Sequence, residues 1–166
     1  MEIIQNLKLK FKKNNYDSGE VVEYIVDLFD NEINEDDFIN KDGLSCEIEE
    51  IYMTRDQIKE ISKKISTEYK NMFFTIEGKE ETTYESVEYI IEYNENKLAI
   101  KETEPFFERF PENYEEYVDF CEEFEIEDVL SEEDFEEKNS ENDEWKFVQS
   151  EFATNKKLKF NNEVKI

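Results

Sequence analysis

Histidine is absent from this chain of 166 residues. With it go the Ser-His and Cys-His nucleophile pairs, His-ligated zinc and the commonest general base. Cysteine occurs only as Cys46 and Cys121. Two thiols are too few for a disulfide framework or a four-thiolate metal site, so both are expected to be buried as small apolar residues. The glycines Gly19, Gly43 and Gly78 stand isolated, which excludes a phosphate-cradling glycine loop. With only two prolines besides, few breakers interrupt the chain and mostly regular structure is expected. No apolar run approaches the length of a membrane span, and the stretch from Met1 to Asn6 has neither the basic flank nor the apolar core of a signal peptide. A cytoplasmic protein without a membrane partner is expected.

Positive charge is also scarce: 20 Lys and Arg face 46 Asp and Glu, for a net charge of −26. That balance repels phosphate and argues against direct nucleic-acid binding. Carboxylate chemistry finds no recognisable pattern either. A nuclease-like reading of Glu77-Gly78-Lys79 fails because Glu-x-Lys also begins at Glu68, Glu95, Glu136, Glu144 and Glu163. A calcium loop from Asp30 fails because Glu35 stands where the sharp turn needs Gly and Lys41 where a bidentate Glu is required. No catalytic residue, cofactor or metal site is assigned, and a non-enzyme is expected.

Aromatic residues, by contrast, are plentiful, with 14 Phe, nine Tyr and one Trp. They give a chain of this length a core to fold around. Leu7, Leu9 and Phe11 alternate with Lys8, Lys10 and Lys12, the pattern of a half-buried strand. Asp17 or Ser18 can cap a helix carrying Val21, Val22, Ile25, Val26 and Phe29. An acidic loop over residues 34 to 43 leads to a second, irregular strand through Cys46, Ile48, Ile51 and Met53. Thr54 and Gln57 have the spacing of a capping box, which predicts a helix over residues 55 to 71. Met72, Phe74 and Ile76, then Val87 to Tyr93, then Leu98 and Ile100 read as an antiparallel centre, with Gly78 and Asn94-Glu95-Asn96 as turns. Pro111 is placed to start a helix from Glu112 to about Phe124, and Ser131 to cap a short one anchored by Ile126, Val129, Leu130 and Phe135. Lys138 to Glu144 reads as an exposed linker, and the last 22 residues as a closing hairpin around Thr154-Asn155.

This order of elements predicts one α+β domain over residues 1–166, an antiparallel sheet of roughly five to seven strands with two to four helices, one of them amphipathic and strongly acidic.

The acidity is concentrated. Residues 102–144 hold 20 Asp and Glu against Arg109 and Lys138, a net of −18, yet carry eight Phe and Tyr. An acidic segment without aromatics would stay disordered, whereas this one can fold. On the helix over residues 112 to 124, Glu112, Glu115, Glu116, Asp119, Glu122 and Glu123 fall within an arc of roughly 120°, with Tyr114, Tyr117, Val118, Cys121 and Phe124 opposite. Six carboxylates over about 16 Å of axis approach the roughly 3.4 Å repeat of phosphates along a nucleic-acid strand. Glu125, Glu127, Asp128, Glu132, Glu133, Asp134, Glu136 and Glu137 extend the run.

A plain solvated face is the simpler account of one acidic helix. Its extent argues for more, because at the chain's average frequency 43 residues would carry about 12 acids. These 14 residues are the candidate partner-binding surface, and the expected partner is a basic nucleic-acid-binding protein such as a nuclease or CRISPR effector. In size and charge the chain resembles the small acidic nucleic-acid mimics that phages and mobile elements use as anti-CRISPR or anti-restriction inhibitors, although no motif carries the resemblance. The alternative is an immunity protein or antitoxin that covers a basic toxin. A third reading is an acidic adaptor that binds a protein away from its nucleic-acid site.

Overall fold

The computed structural model describes residues 2–109, 111–127, 129–141 and 164–165. The alternation in the first strand, β1 (Ile4–Lys12), buries Leu7, Leu9 and Phe11 and leaves Lys8, Lys10 and Lys12 exposed on the other face. β1 is central, pairing antiparallel with β3 (Gly43–Ile51) on one side and β4 (Phe74–Glu81) on the other. Beyond β3 lies β2 (Phe38–Asn40), and beyond β4 lie β5 (Glu85–Asn94), β6 (Lys97–Glu102) and β8 (Val164–Lys165). The order is therefore β2-β3-β1-β4-β5-β6-β8, with every neighbouring pair antiparallel. A two-residue strand, β7 (Phe106–Phe107), pairs with Glu85 and Ser86 at the start of β5. With four helices among the described residues this is the α+β architecture that the pattern of elements predicts.

Two helices cover one face of the sheet. α1 (Ser18–Leu28) is capped by Asp17, whose carboxylate accepts the Glu20 N–H, and it buries Val21, Val22, Ile25 and Val26. α2 (Arg55–Glu68) begins with the Thr54/Gln57 capping box in both directions and buries Ile58, Ile61 and Ile65. These side chains share one core with Leu9, Cys46, Phe74, Ile76 and Ile91 of the strands. A salt-bridged polar cluster seats the start of α2: buried Gln5 bonds the Met53 carbonyl, Glu80 and the Tyr89 hydroxyl, while Arg55 and Lys59 both reach Glu102.

The structure corrects several expectations and makes the irregular step of the second strand specific. The acidic loop over residues 34 to 43 contains a 3-10 turn (Glu35–Asp37) and β2. The irregular step in β3 is a bulge, where Gln5 faces Ile51 but Leu7 faces Ile48; Glu50 takes a φ of 58°, and the Asn6 side chain accepts its N–H at 3.0 Å. Gly78 is a mid-strand residue opposite Tyr89, and the turn lies at residues 82 to 84. A Cβ at position 78 would fall 2.1 Å from the Tyr89 ring, so glycine is there because the tyrosine crosses over it. Lys138 to Glu141 belong to a helix. The hairpin around Thr154-Asn155 lies outside the described residues.

Candidate anionic interface

The acidic segment has an aromatic core of its own. After β7 the chain passes Pro111 and enters α3 (Tyr114–Glu123), capped by Asn113, whose side-chain oxygen accepts the Glu116 N–H at 2.9 Å. The helix thus starts two residues later than expected. Glu112 lies outside it, and its backbone N–H donates to the Glu116 carboxylate at 2.9 Å. Tyr117, Phe120 and Cys121 are buried, and with Tyr84, Phe107 and Phe135 they form a cluster separate from the main core. Phe120 takes the place expected of Val118, which is 37% exposed, because the buried arc is centred between Tyr117 and Phe120.

α3 ends in a left-handed turn. Glu125 takes a φ of 53°, and the Ile126 N–H reaches back to the Cys121 carbonyl at 2.8 Å. Glycine is the usual residue there, and Glu costs about 1 kcal/mol more. The following loop is held by two phenols: Tyr117 accepts the Leu130 N–H at 3.0 Å, and Tyr114 donates to the Leu130 carbonyl at 2.9 Å. Ser131 then caps α4 (Glu132–Glu141), accepting the Asp134 N–H at 3.2 Å. Phe135 returns from α4 to stack on Tyr117, with ring centroids 4.7 Å apart.

This packing decides where the carboxylates go. Glu115, Asp119, Glu122 and Glu123 are exposed on α3, Glu125 and Glu127 on the connection, and Glu132, Glu133, Asp134, Glu136 and Glu137 on α4. Glu112 is exposed just ahead of α3, Glu116 is half-buried at its margin, and Asp128 lies outside the described residues. Glu115 to Glu123 spans about 12 Å of axis. Charges from Glu116, Glu123 and Asp119 reach Tyr84 and, after the larger effect of burial, raise its pKa, so this face borders the β4–β5 turn.

α3 itself carries no cation. The ion pairs formed by Lys8, Arg55, Lys59, Lys63, Lys79 and Arg109 take no carboxylate from α3. Arg109 is turned away from α3, donating to the carbonyls of Thr82, Thr83 and Glu85 and lying 3.6 Å from Glu108. No basic residue stands in the last turn of α3, where Glu122 and Glu123 oppose the helix dipole. The like-charged pairs Glu115/Asp119 and Asp119/Glu123, one turn apart, each destabilise by roughly 0.2 to 0.5 kcal/mol. A helix face shaped for stability alone would carry Lys at such positions.

Sequence reasoning missed the attachment of this unit to the sheet, made by Lys79, Ser86, Glu108 and Arg109. The available signal was Arg109 itself, a lone arginine following the Phe106-Phe107 pair in an acidic segment. Among the described residues no group of three or more Asp, Glu or Cys is gathered in a way that could hold a metal ion. No helix there is long and apolar enough to cross a membrane. No protein family matches this chain, and neither does any curated protein or solved structure.

Proposed function

We propose that this protein is a non-catalytic cytoplasmic inhibitor, encoded by a phage or mobile element, that presents the α3–α4 face as a surrogate for nucleic-acid phosphates. The target is the nucleic-acid-binding groove of a host defence protein, a nuclease or CRISPR effector. The observation that carries this reading is that among the described residues no cation pairs with an α3 carboxylate, while a buried aromatic cluster holds the other side of the same helix. A surface of fixed, unneutralised charge attracts a basic groove at long range and loses little entropy on docking. Each carboxylate takes the role of a phosphate against Lys or Arg, and association is fast and steeply salt-dependent.

An immunity protein or antitoxin would use the same electrostatics against one co-encoded toxin. Capture from the native host with the wild-type chain and with a Glu115→Lys/Asp119→Lys/Glu122→Lys variant tests the proposal. A basic nucleic-acid-binding protein retained only by the wild type supports it. A partner retained equally by both removes the acidic face from the mechanism, and a co-encoded toxin as the partner selects the second reading.

A further inference from the structure

At the end of the sheet opposite α3, a pocket of about 550 Å³ opens between the C-terminal part of α2 and the β5–β6 hairpin. Its walls are Lys63, Ser66, Thr67 and Lys70 on the helix side and Tyr93, Asn96 and Leu98 on the hairpin side, with no Asp or Glu among them in a chain that carries 46. The Lys70 ammonium has no ion-pair partner among the described residues, and Lys63 has only a loose contact of 3.9 Å with Glu60.

The amide of Asn96 is oriented. Its oxygen accepts both the Tyr93 hydroxyl at 2.9 Å and the Asn71 N–H at 3.2 Å, which leaves its NH2 group as the free, donating side. The hydroxyls of Ser66 and Thr67 donate to the Lys63 carbonyl, and Tyr24 donates to that of Lys64, so carbonyl oxygens near the end of α2 already have partners. The pocket therefore offers two ammonium groups and a fixed amide donor.

Besides the Glu60 carboxylate, 3.9 Å from Lys63, two forces oppose an anion here. The C-terminal end of α2 contributes roughly half a negative charge, less than the two full positive charges of the lysines. The acidic unit repels anions, but along β5 it begins about 25 Å away, beyond the Debye length of about 8 Å at physiological salt. We propose that this pocket binds the phosphate group of a small phosphorylated molecule, with Lys63, Lys70 and Asn96 as its donors and the remaining volume, bounded by Leu98 and Tyr93, holding the rest. The site is independent of the acidic face.

Titration of the 15N-labelled full chain with inorganic pyrophosphate, followed by amide chemical shifts, tests it. Shifts should concentrate on Ser66 to Asn71 and on Asn96. Lys63→Ala/Lys70→Ala and, separately, Asn96→Asp should each weaken binding about tenfold or more. Asp accepts the same left-handed backbone and keeps the acceptor for Tyr93, so loss of fold does not confuse the result. The Glu115→Lys/Asp119→Lys/Glu122→Lys variant should bind pyrophosphate as the wild type does. Equal shifts at Lys8, Lys10 and Lys12, or unchanged affinity in the pocket variants, overturn the assignment.

Discussion

The ammonium of Lys79, on β4, lies 2.5 Å from a carboxylate oxygen of Glu108, the residue that leads the chain out of β7 toward α3. The other oxygen of Glu108 accepts the Ser86 hydroxyl at 2.7 Å. Burial alone would raise the Glu108 pKa, but bonds from Lys79 and Ser86 and the nearby charges of Lys79 and Arg109 together outweigh it and leave the value lowered. A lowered folded-state pKa gives stability that is fully present above the unfolded value and lost as pH falls through the folded one. Glu108→Gln should therefore loosen the α3–α4 unit by about 1 kcal/mol at neutral pH. Hydrogen exchange in residues 114–135 should report the difference from wild type. It should be largest above the ordinary carboxylate range and vanish under acid; a difference independent of pH would contradict the ionic latch.

The aromatic cluster beneath α3 is separate from the main core, so its loss should be local. Phe120→Ala should cost that unit about 3 to 5 kcal/mol. Amide protection should collapse across residues 114–135 while persisting in β4 and β5. Uniform loss across the whole chain would mean that the two clusters unfold as one.

Gly78→Ala should destabilise the sheet by about 1 to 3 kcal/mol or more, because the Tyr89 ring occupies the space its methyl needs. Tyr89→Leu in the same chain should recover part of that loss, giving a measurable coupling in thermal or urea unfolding. Simple additivity would place the strain elsewhere.

Those two residues also mark where the sequence stops being legible. Gly78 looked like a turn because isolated glycine most often is one, and only the strand register reveals Tyr89 opposite it. Local signals fared better: the Leu7/Leu9/Phe11 alternation and the Thr54/Gln57 box each depend on a few neighbouring residues, and both are present as read. At α3 the period of the apolar residues located the acidic face, yet Pro111 suggested a start two residues early, since Asn113 competes as the cap and wins through its bond to the Glu116 N–H. The Lys79/Glu108 latch joins residues 29 positions apart, and no local pattern announces such a pair.

Reversing Glu115, Asp119 and Glu122 to Lys should leave far-ultraviolet circular dichroism unchanged and the unfolding midpoint equal or slightly higher, since like-charge repulsion on α3 is relieved. Partner affinity should fall by orders of magnitude, and the salt dependence of association should flatten. A destabilised fold would instead assign these carboxylates a structural role.

The central claim is that the acidic face occupies a nucleic-acid site, and competition measures it most directly. The affinity of the captured partner for its own nucleic acid is determined with increasing amounts of this protein at fixed ionic strength. Apparent affinity should fall in proportion to occupancy, with nucleic acid displacing the protein in return. Full-affinity nucleic-acid binding by the saturated complex would contradict mimicry, even with the protein tightly bound.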